Sequence, residues 1–236
     1  MRVCHVIAGL PDEAGGPTQM VLGLTRALAK EGVETSIFIT NVAMGGTLTR
    51  ESMNHLKQSE SSIDIQHFKI EGPWWYAYSS ELKNALIARA QTFDLFHIHG
   101  LWMWPPSSAM GIARRFDIPY LLTPHGALNE WAMQRNWWKK HLLLALWEKK
   151  NIQSSVAVHF FHQAEPISPM IRTQLPRTVY IPNGIDPNLL EPIPPRGIFR
   201  DRFRLHDRQI VLFLGRLHPV KGLDLREPVR VNYASR

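Results

Sequence analysis

Along its first 181 residues the chain alternates, several times over, between short β-branched apolar runs and longer segments with helical spacing. Residues 3–8, 33–40, 63–70, 94–99, 119–123, 156–161 and 179–181 read as strands. Residues 18–30, 80–91, 107–116 and 137–152 read as helices. In 18–30 the apolar Met20, Val21, Leu24, Ala27 and Leu28 recur at helical spacing. Ser79 or Ser80 stands where the helix that follows needs a cap. Strand, helix, strand in repetition implies a parallel sheet, because parallel neighbours need a crossover and the crossover helix covers a face. The first strand runs directly into a glycine loop and a helix. The expected fold is therefore α/β, a doubly wound, Rossmann-like parallel sheet, with ligands at the carboxyl ends of its strands.

A boundary follows. Residues 181–196 run I-P-N-G-I-D-P-N-L-L-E-P-I-P-P-R, rich in proline and without a period, and read as an extended linker. Beyond it, 209–214 is a clean apolar run ending in G-R-L-H-P-V-K-G, a strand-to-loop unit starting afresh. The expected organisation is one domain over 1–181, a linker over 182–208, and the start of a second Rossmann-like domain over 209–236. After Leu225 the apolar period stops, and Pro228 blocks a helix. One strand forms no core of its own, so the second domain is expected to be truncated or frameshifted.

Composition removes several classes. Cys4 is the single cysteine. It builds no disulfide framework, fits a reducing cytoplasm, and sits in an apolar run as a packing residue. The formal charge of +7 is spread out, with local clusters at 137–150 and 196–208. No zinc-finger spacing or helix-turn-helix signature accompanies it, so no nucleic-acid partner is expected. The apolar run after Arg2 is too short for a secretory signal, and the longest greasy stretch, 142–147, is too short to span a bilayer. The basic helix over 137–152 has Trp137, Trp138 and Trp147 near its ends. It fits an ordinary packing helix, and also a helix lying in an anionic interface. Trp131, Trp138 and the apolar residues 142–146 are expected to pack.

Four motifs fall at the ends of expected strands. Gly15 and Gly16 precede a helix, with Pro17 in its first turn. They form either a plain tight loop or a place where backbone amides and the helix N-terminus meet an anion. The loop is not G-x-G-x-x-G, which weakens a dinucleotide reading. His97 and His99, in D-L-F-H-I-H-G-L-W, share one face of a strand. Neither acidic residues nor cysteines stand at a supporting spacing, so no metal is expected. One ring is expected to pack, and the other, nearer the strand end, to face a cleft. His125, in T-P-H-G-A-L, follows a strand directly, as a structural turn residue or as a donor to a sugar hydroxyl or phosphate. Arg216 and Lys221 flank the last turn, a planar fork and a point charge that together suit a diphosphate.

In order and spacing, with I-P-N-G-I-D between the halves, these motifs resemble the retaining glycosyltransferases of family 4 (group 1), of GT-B fold. The resemblance runs from Met1 to about Leu225. It implies an N-terminal domain that receives the acceptor and a C-terminal domain that holds a nucleotide-sugar. Gly15 and Gly16 then lie near the donor phosphates, and His125 contacts the transferred sugar as the catalytic residue. His99 and Glu130 line the acceptor cleft. Arg216 and Lys221 neutralise the leaving diphosphate, so that neither metal nor other cofactor is needed. The acceptor is a glycan or lipid-linked sugar in polysaccharide or cell-envelope biosynthesis, and the enzyme is of hexosyltransferase type. It is cytoplasmic, with peripheral contact at the inner face of the membrane. With the donor half missing, the chain alone is expected to be inactive; the alternative is a non-catalytic acceptor-binding module that needs a separate donor subunit.

Overall fold

The computed structural model describes residues 1–10, 15–43, 45–59, 63–186 and 192–215. The chain divides into two units, Met1–Asp186 and Pro187–Arg236.

The first unit opens with β1 (Arg2–Val6), α1 (Gly16–Lys30) and β2 (Glu34–Thr40). A small hairpin, β3 (Val42–Ala43) and β4 (Gly46–Thr47), precedes α2 (Arg50–Ser59) and β5 (Asp64–Phe68). The unit continues through α3 (Ser80–Arg89), β6 (Leu95–His99), α4 (Trp104–Arg115) and β7 (Tyr120–Thr123). A run of helices follows: α5 (Glu130–Gln134), α6 (Trp137–Leu143), a π-helical turn (Leu144–Glu148) and α7 (Lys149–Gln153). The unit closes with β8 (Ala157–Phe160), α8 (Pro169–Arg172) and β9 (Thr178–Tyr180). The seven main strands form one sheet in the order β5-β2-β1-β6-β7-β8-β9, every pair parallel. The order turns back on itself between β1 and β6, which is where a doubly wound sheet opens its ligand crevice.

Alternation along the strands sorts the side chains onto two faces. Cys4, Val6, Phe96, Ile98, Tyr120, Leu122, Val158 and Phe160 pack against Leu82 and Leu86 of α3 and Ala109 and Met110 of α4. Burial pushes the Cys4 thiol far above its ordinary range, leaving an inert packing group. Elsewhere, Ile37, Ile39 and Ile65 pack with Val21 and Leu22 of α1 and Met53 of α2.

Several boundaries differ from the sequence expectation for identifiable reasons. Helix α4 begins three residues early, at Trp104, because Pro105 and Pro106 fit a first turn where no N–H is required. Ser79 is the cap of α3, its side chain accepting from Leu82 N. Helix α2 was not foreseen: its composition is polar, and among its described side chains only Met53 is buried. The largest correction concerns 137–152. Trp138, Leu142 and Leu146 do not pack but are 56%, 53% and 59% exposed, and Trp131 is 40% exposed. Within the run Leu144 alone packs, partly buried against the core, and the end of the segment docks through the buried Glu148, Asn151 and Ile152.

In the second unit α9 (Ile198–Arg202) forms a single short helix, within the stretch expected to be a linker. The run 209–214 has no ladder partner among the described residues, and Val211 and Leu214 are more than nine-tenths exposed. A strand is held by its neighbours' hydrogen bonds, and without one the segment stays irregular.

Candidate functional site

At the carboxyl end of β1 the chain passes the β3–β4 hairpin so closely that a Cβ on Gly9 would stand 2.4 Å from Val42 O. Only glycine allows that passage. Gly15, at φ 65°, caps α1, and Pro17 lies in the first turn, which holds no acidic residue. The N-terminus of α1 therefore carries no carboxylate of its own among its first residues, a setting suited to an anion.

The loop after β7 carries His125 and Gly126 at φ 51° and 77°. A left-handed conformation costs a non-glycine residue about 1–2 kcal/mol, and here the surroundings enforce it. Gly100 N donates to Thr123 O at 2.8 Å, and Ala127 N to Pro124 O at 3.1 Å. The Trp102 indole, itself on a residue at φ 68°, donates to Ala127 O at 2.9 Å. Asn129 Oδ1 accepts from Ala132 N at 2.6 Å and caps α5. Such strain collects where a side chain must be aimed. Glu130 lies exposed in the first turn of α5.

Behind His125 lies a layer of histidines. His5 and His97 are register partners on β1 and β6, and His99 and Thr123 are partners on β6 and β7. His5 and His99 are fully buried, His97 and His159 nearly so. Nδ1 of His5 meets Nε2 of His99 at 3.1 Å, and Nδ1 of His99 meets Nε2 of His125 at 3.2 Å. In a second row, Nε2 of His97 meets Thr123 Oγ1 at 2.8 Å, and Thr123 Oγ1 meets Nδ1 of His159 at 3.1 Å. Nε2 of His159 donates to Ile181 O at 2.9 Å. Burial holds the pKa of His5 down to about 3. Burial, and then the charge of His159, holds His125 down to about 4. His97 and His99 are pushed well below the usual range by burial and then by neighbouring histidines. These four rings are uncharged near neutral pH, acting as donor on one nitrogen and acceptor on the other.

The structure brings His99 and His125 into contact, but His99 is fully buried and does not open to a cleft; it stands one ring behind His125. Gly15 and Gly16 lie at the carboxyl edge of the same sheet, at the start of α1. Arg216 and Lys221 lie outside the described residues. His5, His159 and Thr123 are the members that sequence reasoning missed. His5, His97 and His99 also offer ring nitrogens within 4.8 Å of one another, the group among the described residues with the composition of a metal site. Reading 97 and 99 alone leaves out its third member. His5 joins it only once β1 and β6 are known to be neighbours.

Known proteins resemble this arrangement. The D-inositol 3-phosphate glycosyltransferase of Xylanimonas cellulosilytica is 25% identical over 235 residues, covering 90% of this chain and 54% of that protein. The Anabaena Alr3699/HepE protein, solved in complex with UDP and glucose, superposes with a TM-score of 0.60 at 16% identity. That match covers 95% of this chain and 56% of HepE, and it identifies the GT-B type of Rossmann-like fold. The chain thus spans about half the length of these relatives. Residues 15–184 match the glycosyl transferase 4-like domain. On that match, which takes in Gly15, Gly16, His99, His125 and Glu130, the chain belongs to the glycosyl transferase 4-like family.

Proposed function

We propose that this chain forms the acceptor side of a hexosyltransferase that moves a sugar from a nucleotide-sugar to a glycan or lipid-linked acceptor in polysaccharide or cell-envelope biosynthesis. The observation that carries the reading is His125: an uncharged imidazole at the carboxyl end of β7, held in a strained left-handed turn. A neutral imidazole there offers a hydrogen bond to the transferred sugar without adding a positive charge. Gly15 and Gly16, with the N-terminus of α1, face the donor phosphates. Glu130 and the loop around it meet the acceptor. Arg216 and Lys221 take the charge of the leaving diphosphate, the role a metal ion plays in metal-dependent transferases, so the reaction needs no cofactor. The chain matches only about half of the relatives' length, and on this reading turnover takes a donor-binding half as well.

The test is transfer of radiolabelled sugar from UDP-glucose and other nucleotide-sugars to membrane-extracted acceptors. The chain is assayed alone and joined to the donor half of a relative. Transfer by the joined protein, lost on His125→Ala, is the expected result. A joined protein that binds nucleotide-sugar but transfers nothing, with every acceptor fraction, would sink the reading and favour a non-catalytic acceptor-binding module.

A peripheral membrane contact belongs to the same proposal, at the cytoplasmic face. Trp137, Trp138, Leu142 and Leu146 are exposed beside Lys139, Lys149 and Lys150. Exposed aromatic and basic residues on one helix suit an anionic lipid surface, where a lipid-linked acceptor would reside. No helix among the described residues is long and apolar enough to cross a membrane.

A further inference from the structure

The row His5–His99–His125 has a property that none of its members has alone. Each is a ring with one proton to place on two nitrogens. The rings meet edge to edge. His5 and His99 are 12° from parallel with centroids 5.4 Å apart, yet their facing nitrogens are only 3.1 Å apart. His99 and His125 repeat the arrangement, with centroids at 5.4 Å, planes at 36° and nitrogens at 3.2 Å. A neutral imidazole donates from one nitrogen and accepts at the other. Two linked contacts between three such rings therefore allow only two arrangements, all protons on Nδ1 or all on Nε2. The choice made at buried His5 is transmitted to His125.

The buried inner end makes the choice. At the inner end Nε2 of His5 is buried and without a partner. If it carried the proton, an N–H would be orphaned in the interior, which native structures avoid more strictly than an unused lone pair. With the proton on Nδ1, His5 donates to His99, His99 donates from Nδ1 to His125, and His125 keeps its own proton on Nδ1. At the outer end that leaves an N–H on His125 to donate to an oxygen of the transferred sugar, the role given to it above.

We propose that His99 is a positioning residue, backed by His5, which fixes His125 as an Nδ1–H donor towards the substrate. The inference rests on the functional reading of His125 given above. It also separates the histidine layer from a metal site. Zinc would need nitrogen lone pairs converging on one point about 2.0–2.1 Å from each. Instead, His5 and His99 direct one nitrogen at the other along a common line.

The test is a long-range proton–nitrogen correlation spectrum of the full chain, labelled with nitrogen-15 in histidine, at neutral pH without ligand. His5, His99 and His125 are expected each to show a protonated Nδ1 and an unprotonated Nε2. In His99→Leu the sole Nδ1–H form of His125 is expected to give way to a mixture of both forms. Protonated Nε2 on His125 in the native chain overturns the proposal, as does an unchanged His125 in a folded His99→Leu protein. Stoichiometric Zn²⁺ that shifts His5, His97 and His99 together would also overturn it, in favour of a metal site. If His99→Leu does not fold, the native spectrum decides alone. Because the protein is ligand-free, failure here leaves the glycosyl-transfer reading standing, and absence of transfer leaves the relay standing.

Discussion

At the scale of the residue, the histidine layer sets how the protein responds to acid. His5 and His125 bind protons only near pH 3 and 4 when folded, against an ordinary value of 6.5. As pH falls below 6.5 the unfolded chain takes up protons that the folded rings refuse. The contribution of each ring is thus whole above pH 6.5 and shrinks as pH drops through the window down to its folded value. His97 and His99 act in the same direction. The loss is at most about 1.4 kcal/mol per pH unit for each ring. Glu148 works in the opposite sense, since burial raises its carboxyl pKa and its folded form accepts the proton more readily. Four rings outnumber one carboxyl. The urea midpoint is expected to stay near level from pH 7.5 to about pH 6.5 and to fall from there to pH 5, with a shallower slope in His5→Leu. A midpoint that stays level between pH 6.5 and pH 5 would mean the rings are solvated.

At the scale of the element, the segment from Trp137 to Gln153 is attached by polar contacts. Asn151 Oδ1 accepts from Arg114 Nη2 of α4 at 2.9 Å, and Asn151 Nδ2 donates to Glu148 Oε2 at 3.2 Å. Ser107 of α4 donates to Glu148, and the Tyr120 hydroxyl of β7 donates to Asn151 O. Ile152 and the partly buried Leu144 add apolar contacts. Removing one partner from a buried network leaves the others unsatisfied, at about 1–3 kcal/mol. Asn151→Ala is expected to lower the urea midpoint accordingly with an unchanged m value. Trp138→Ala, at an exposed position of the same helix, should stay within about 0.5 kcal/mol of the native protein. If the two substitutions cost alike, the helix is held by its apolar face after all.

At the scale of the molecule, the exposed face of that helix concentrates tryptophan, leucine and lysine in one place. Lys139 Nζ lies 5.4 Å from the Trp138 ring centroid and 5.6 Å from that of Trp75, which is itself exposed. Each lysine near an anionic bilayer contributes about 1 kcal/mol, an attraction that salt weakens. In vesicle flotation the chain is expected to rise with phosphatidylglycerol-containing vesicles and not with pure phosphatidylcholine. High salt should release it, and Lys139→Glu with Lys149→Glu should weaken it. Flotation indifferent to lipid charge would remove the membrane contact from the proposal.

What the sequence determined by itself was local. Alternating apolar runs and helical spacing gave the doubly wound parallel sheet, Ser79 or Ser80 marked the start of α3, and strand ends located the loops of Gly15 and His125. These features depend on neighbours a few residues apart, which periodicity records directly. Only the tertiary structure decided the rest. The order of strands set His5 beside His97 and His99, 92 and 94 positions further along the chain, and joined it to His99 and His125 in one row of contacting rings, though no motif had marked it. Only burial revealed that Trp138, Leu142 and Leu146 face outwards while Glu148 and Asn151 face in, reversing what hydropathy alone suggests. Register and burial are set by partners distant in the chain. A side chain's chemistry states what it can bond to, and the packed sheet decides which partner it meets.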